Sequence, residues 1–162
     1  MNRKVNRIEV RLKKDMKNSL KIVPNADEQV LQFIIDLVTC AVSTEPEYEA
    51  IRCTFRAGYC WHFATLLKAT FGRGTVCWAA PFGHFVWMDD NDIPYDIEGV
   101  YDGECVYFIP ESYLGNMLND FLHIPCVNYN ATEDEIMAVI HQYEQDNNLS
   151  SQDDYIKHFL KP

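Results

Sequence analysis

The chain has 162 residues, 48% of them hydrophobic and 13% aromatic, so it is too apolar for a disordered protein and long enough for one domain. Its 14 basic residues against 24 acidic ones give a net charge of -10, which argues against a protein whose main role is to bind a phosphate backbone. No run approaches the roughly 18 apolar residues that a membrane span needs, and no signal-peptide pattern opens the chain. We therefore expect a cytoplasmic protein with no membrane partner, although this leaves delivery as a secreted effector open.

Basic residues are concentrated at the start of the chain. Residues 1–21 hold eight of the 14 basic residues but only two of the 24 acidic ones. This stretch is predicted to be a basic arm or an edge strand attached to an acidic body, within a single domain spanning residues 1–162. Binding of nucleic acid by this stretch is the less favoured interpretation, and the sequence does not indicate an oligomeric state.

Apolar periodicity predicts helices in the first and last thirds of the chain and strands between them. Helices are predicted over residues 27–42, 60–71, 111–122, 133–145 and 152–160, with a loop or short helical turn over 43–49. Strands are predicted over residues 75–80, 82–89, 93–97 and 104–109. Because short breaks between strands imply antiparallel neighbours, the predicted fold class is α+β.

One cysteine stands at a position that favours reactivity. The six cysteines lack the dense spacing of disulfide-stapled domains, which indicates reduced thiols. Cys60 lies in the first turn of a predicted helix, directly after the Gly58-Tyr59 entry. Backbone N–H groups at a helix N-terminus favour the thiolate, which is the form that attacks a carbonyl. A buried structural cysteine is the alternative, because free cysteines are among the most buried residues.

A nucleophilic cysteine needs an imidazole as its base and a third group to orient that ring. His84 is the one polar ring in the apolar segment 82–89, and Asp96 is the one carboxylate in the apolar segment 93–97. A three-residue hairpin loop at 89–91 would place His84 directly opposite Asp96, and a loop at 90–92 would make them diagonal neighbours on the same face. Only an even-numbered loop would put them on opposite faces.

The segment Gly58-Tyr59-Cys60-Trp61-His62-Phe63 resembles the G-x-C-W-x-F segment of papain-like cysteine proteases. Together with Gly83-His84-x-x-Trp87 and Tyr95-Asp96-Ile97, it more closely resembles the transglutaminase-like branch. The resemblance implies a papain-like or transglutaminase-like core, in which the nucleophile helix packs on a small antiparallel sheet followed by C-terminal helices. It also implies that Cys60 is the nucleophile, His84 the general base and acid, and Asp96 the group that orients His84.

The sequence departs from this family in two places. Ala57 stands where papain-type enzymes usually carry a disulfide-forming cysteine, and the 24 residues from Cys60 to His84 leave room for only one intervening strand. The backbone N–H of Cys60 is the natural oxyanion donor, and a glutamine on the first helix, such as Gln29 or Gln32, is the side-chain candidate. The aromatic residues Trp61, Trp87 and Tyr95 are first of all candidates for the core, and we expect them also to line a substrate cleft.

These features predict a cysteine hydrolase or acyltransferase that acts on an amide or peptide bond through a thioester intermediate. A protein or peptide substrate is expected, but the sequence does not separate proteolysis from deamidation or cross-linking. No zinc-ligand spacing, calcium loop or phosphate-binding loop is present, so no metal or cofactor is predicted. The alternative is a catalytically silent binding or inhibitory protein with the same fold.

Overall fold

An antiparallel sheet lies between an N-terminal and a C-terminal group of helices, as the predicted α+β class requires. The computed structural model describes residues 13–41, 45–115, 117–118 and 131–160. The helices are α1 (Glu28–Ala41), α2 (Glu45–Arg56), α3 (Cys60–Phe71), α4 (Glu133–Asp146) and α5 (Asp153–Leu160). The strands are β1 (Thr75–Ala80), β2 (Phe85–Met88), β3 (Pro94–Asp96), β4 (Gly99–Val100) and β5 (Tyr107–Pro110).

The five strands form one sheet in the order β4-β3-β2-β1-β5, with every neighbouring pair antiparallel. The short breaks after β1, β2 and β3 produce this meander, and β5 returns to pair with β1. The strand expected over 104–109 begins only at Tyr107, and the strand expected over 82–89 begins only at Phe85. The two-residue strand β4 was not predicted.

Helix α3 packs against the sheet and carries the candidate nucleophile at its first residue. Its buried side chains include Phe63, Ala64 and Leu67, which recur at helical spacing and face β1 and β2. Gly72 ends the helix in the left-handed conformation, with φ 64°, and its N–H bonds the Lys68 carbonyl. The helix therefore has the predicted limits at both ends.

Aromatic side chains fill the layer between the helices and the sheet. Trp78, Phe85, Trp87 and Tyr95 have 0% exposed surface. Complete burial of such a side chain contributes on the order of 2–3 kcal/mol. This layer fixes the strands that carry the candidate site.

Residues 45–49, part of the loop or short helical turn expected over residues 43–49, belong to the 12-residue helix α2, and residues 43–44 lie outside the described residues. Helix α2 begins at Glu45, and Tyr48, Ile51 and Phe55 pack against the core at helical spacing. Because the first turn of α2 is polar, the apolar spacing of this helix is not evident from the sequence. Pro46 is tolerated there because a helix has no internal partner for its first N–H groups.

The part of the basic N-terminal stretch that the structure describes is ordered against the body of the protein. Residues 13–19 are helical, and Met16 and Leu20 are buried, four residues apart. Only Lys21 takes part in the sheet, through an isolated parallel bridge to Gly99. The basic arm or edge strand expected over residues 1–21 is thus replaced by helix over 13–19, and residues 1–12 lie outside the described residues.

The C-terminal helices differ in how well they match the sequence pattern. Thr132 and Glu135 form the predicted capping box at the start of α4. The helix expected over 111–122 is a 3-10 turn at Glu111–Tyr113, followed by Gly115 with φ 51°. Residues 117–118 are again helical, and residues 119–122 lie outside the described residues. Within the described residues, no helix has the length and apolar character needed to cross a membrane.

Candidate active site

Cys60 is the first residue of α3 and lies at an open helix N-terminus. Gly58 makes the entry with φ 124°, and Tyr59 at the N-cap contributes no side-chain hydrogen bond to the first turn. The first backbone N–H groups of a helix have no partner within it, and Cys60 lies among the residues that carry them. Cys60 itself is only 3% exposed.

The β2–β3 hairpin brings His84 and Asp96 to the same face of the sheet. Trp87 pairs with Tyr95 and Met88 pairs with Pro94, which leaves a connection centred on residues 90–92. Asp89 stabilises this turn by accepting hydrogen bonds from two backbone N–H groups within it, those of residues 91 and 93. His84 and Asp96 are therefore diagonal neighbours, which is the second of the two registers that allow contact.

The His84 ring and the Asp96 carboxylate are hydrogen-bonded. His84 Nε2 lies 2.9 Å from Asp96 Oδ2, and the two side chains are 14% and 8% exposed. The other carboxylate oxygen of Asp96 accepts the backbone N–H of Glu98 at 2.8 Å. Because Nε2 is occupied by Asp96, Nδ1 is the ring nitrogen left to face the Cys60 sulfur. The structure thus brings the three predicted residues together.

The surroundings of His84 favour its protonated form. Burial by itself lowers the pKa of His84, but side-chain hydrogen bonds to Asp96 and Cys60, and the negative charges of both, raise it to about 9. The ring is thus an imidazolium at neutral pH, flanked by a carboxylate and a cysteine sulfur.

A cavity of about 220 Å³ opens beside His84 and Asp96. Charged side chains dominate its wall, and its lining includes Lys21, Arg56, Glu98, Tyr101 and Asp102. A larger apolar groove of about 970 Å³ lies along α1 and contains neither His84 nor Asp96. Gln29 and Gln32 line that distant groove, which removes them as oxyanion donors for Cys60.

Glu98 links the β2–β3 hairpin, which carries Asp96, to α2, the helix that precedes Cys60. Its carboxylate lies 2.8 Å from the Arg52 guanidinium and 3.1 Å from that of Arg56. Both arginines belong to α2, which ends two residues before Gly58. The Glu98 side chain is 17% exposed, so this ion pair is better shielded than a surface pair. The cluster fixes the Cys60 side of the site relative to the Asp96 side.

The aromatic residues proposed for substrate binding fall into two groups. Trp87 and Tyr95 are fully buried in the core and cannot line a cleft. Their polar atoms are also bonded internally, since the Trp87 indole donates to the Arg73 carbonyl and the Tyr95 hydroxyl donates to Asp89. Trp61, which directly follows Cys60 in the chain, is only partly buried. Its indole N–H donates to the Glu111 carboxylate at 3.0 Å.

The other titratable clusters have structural partners. His141 Nε2 lies 2.6 Å from Asp153, and the buried Glu144 carboxylate accepts the Tyr107 hydroxyl and the Gln152 N–H. His141, Glu144 and Asp153 are close enough to hold a metal ion, but these bonds already join α4 to α5. Burial raises the pKa of the Cys77 thiol to about 12, which makes it unreactive.

No family model matches the chain. No curated protein and no solved structure matches it either. The geometry of the site therefore has to be interpreted from this chain's own residues.

Sequence reasoning missed two residues that shape the site. Glu98 accepts two arginines of α2, and Tyr101 stacks on the His84 ring. Glu98 directly precedes and Tyr101 directly follows the unpredicted strand β4, which is too short to show a period. The only local signals for these two residues were an Asp-x-Glu spacing at 96–98 and an aromatic residue beside the Asp102-Gly103 turn.

Proposed function

We propose that the chain is a cysteine hydrolase or acyltransferase with a papain-like or transglutaminase-like core. It acts on an amide or peptide bond through a thioester, with Cys60 as nucleophile, His84 as general base and acid, and Asp96 as the orienting acid. The single observation that carries the proposal is the His84 ring held by Asp96 at 2.9 Å while it also interacts with Cys60. These three residues, in these roles, are what nucleophilic acyl transfer requires.

The proposed reaction uses each group in turn. The Cys60 sulfur attacks the substrate carbonyl carbon, and backbone N–H groups at the start of α3 stabilise the oxyanion. The imidazolium of His84 gives its proton to the leaving amine as the C–N bond breaks and the thioester remains. Water or an amine then attacks the thioester, gives a proton to His84, and releases the acyl product and the Cys60 thiolate.

The spacing of the chain supports this core in a shortened form. Helix α3, the single strand β1 and two short connections, residues 72–74 and 81–83, account for all residues between Cys60 and His84. The cavity beside His84 adjoins the Asp96 side of the site and does not include Cys60 in its lining. A peptide or protein substrate is proposed from the family resemblance.

A catalytically silent binding or inhibitory protein is the second candidate. The observation that favours it is the 3% exposure of Cys60, since a substrate has to reach the sulfur. The two candidates differ in the reactivity that they require of this thiol.

The first test compares the alkylation of two equally buried thiols in the native protein. Cys60 and Cys77 are 3% and 2% exposed, so burial alone gives them similar protection from iodoacetamide. We expect Cys60 to react below about pH 8.5, and Cys77 to react only on unfolding. Peptide mass mapping separates them from the exposed Cys40 and Cys53.

The control variant is His84→Gln, which removes the base and keeps a polar side chain at this position. We expect it to slow alkylation of Cys60 at neutral pH and to leave that of Cys53 unchanged. If Cys60 reacts no faster than Cys77 in the native protein, the enzyme proposal fails and the binding protein is favoured.

The second test looks for acyl transfer itself. The full chain is incubated with fluorogenic peptide amides, and with a glutamine-containing protein plus a fluorescent amine, which report hydrolysis and cross-linking separately. Cys60→Ala should abolish any turnover, whereas Cys53→Ala, at an exposed site, should retain it. Turnover that survives Cys60→Ala would contradict the assigned nucleophile.

A further inference from the structure

Tyr101 covers one face of the His84 ring. The two rings are stacked, with centroids 5.0 Å apart and planes inclined by 24°. Tyr101 follows β4 directly, so it belongs to a different strand connection from both His84 and Asp96. The imidazole is therefore fixed at its edge by the Asp96 hydrogen bond and on its face by Tyr101.

The Tyr101 ring is itself held from several sides. It also makes an edge-to-face contact with Phe108, with centroids 6.0 Å apart and planes at 79°. Its backbone N–H bonds the Pro94 carbonyl at 2.8 Å. Gly103 leaves room for it, since a Cβ at that position would lie only 2.5 Å from the Tyr101 Cζ. An immobilised ring can restrict the orientation of a neighbour that stacks on it.

The stacked ring also favours a positive charge on His84. The face of an aromatic ring is electron-rich and attracts a cation within about 6 Å of its centroid. Burial raises the pKa of Tyr101 to about 12, so the phenol stays neutral throughout the range in which His84 titrates. The charged or titratable groups around His84 are Cys60, Asp96, Lys21, Arg56, Glu98 and Asp102.

We propose that Tyr101 is a positioning residue of the candidate site, which fixes the plane of the His84 ring and stabilises its imidazolium form. The role in catalysis rests on the proposed function, because the imidazolium is the form that would protonate the leaving group. The effect on His84 does not require turnover and can be measured without a substrate.

The experiment is an NMR titration of the His84 ring in the full chain, with the resonance assigned by its loss in His84→Gln. Tyr101→Phe keeps the aromatic face and should leave the pKa of His84 at about 9. Tyr101→Leu removes that face and should lower the pKa by about one unit. Tyr155→Leu, at an exposed tyrosine of α5, is the matched control and should change nothing.

Gly103→Ala is the second variant, in case the leucine substitution impairs folding. Its Cβ would displace the Tyr101 ring while every other group around His84 is retained, so the pKa should again fall. An unchanged His84 pKa in both Tyr101→Leu and Gly103→Ala overturns the inference, whatever the activity. A lowered pKa supports it even if Cys60 proves unreactive, an outcome that would defeat only the proposed function.

Discussion

The protonated His84 ring is expected to make stability depend on pH through its pairing with Asp96. The pKa of His84 is about 9 in the folded protein against 6.5 for an unperturbed ring, which corresponds to stabilisation on the order of 3 kcal/mol. Because the folded pKa is the higher one, this stabilisation is complete below pH 6.5. It is lost as the pH rises through about 9.

The perturbation is Asp96→Asn, which keeps the size of the side chain and removes its charge. A double-mutant cycle with His84→Gln isolates the coupling between the two residues from other effects of each substitution. The hydrogen bond to Asp96 is the largest of the interactions that raise the pKa of His84. We therefore expect most of the stabilisation, about 2 kcal/mol, to appear near pH 6 as coupling energy between His84 and Asp96. It should fall below about 1 kcal/mol near pH 10, where only a neutral hydrogen bond remains.

The assay is urea unfolding of the four proteins at both pH values. Asp102→Asn serves as the matched control, because Asp102 lines the same cavity but pairs with Lys21. Its coupling to His84 should be near zero. A coupling between His84 and Asp96 that is the same at both pH values would refute the reasoning, since it would mean that His84 does not change its charge between pH 6 and pH 10.

Two further pairs of variants test the supports of the site by urea unfolding. Glu98→Gln should lower the free energy of unfolding by about 2 kcal/mol, because Glu98 is 17% exposed and pairs with two arginines. Glu49 pairs with the same arginines but is 53% exposed, so Glu49→Gln should lower it by less than about 0.5 kcal/mol. Equal costs would contradict the importance of burial in this cluster. Gly74→Ala should cost about 3 kcal/mol, because its Cβ would lie 2.5 Å from the Trp87 indole nitrogen, whereas Gly72→Ala, with a similar φ and open space, should cost about 1 kcal/mol. A cost for Gly74→Ala no greater than that for Gly72→Ala would show that both the indole and the Met88 carbonyl, which is equally close, can move aside.

The contact between His84 and Asp96 could be predicted from the sequence because it depends on one hairpin. Each residue is the polar member of an apolar strand segment, and the turn residues between them limit the loop length. The sequence left two registers open, and the structure selects the loop at 90–92. That choice depends on the Asp89 side chain, which bonds the N–H groups of Asn91 and Ile93 and so ends β2 before the turn.

Other parts of the site depend on contacts between distant segments. Glu98 meets Arg52 across 46 residues, and Tyr101 reaches His84 only because β4 returns beside β3. Neither pairing has a periodic signal in the sequence. The sequence assigned Trp87 first of all to the core but also allowed it to line a cleft, because a strand residue next to a candidate site can face either one. The packing of α3 on that face decides the matter.

The three candidate catalytic residues are encoded in one continuous stretch, residues 60–96. Cys60 and His84 are 24 residues apart, and His84 and Asp96 are 12 apart, so the chain closes only short loops to bring them together. Contacts that are local in sequence form faster than those between remote segments. We therefore expect the site to assemble when α3 docks on the β1–β3 meander, early in folding. The return of β5 to β1 and the docking of α4 and α5 would follow, and would stabilise a site whose geometry is already set.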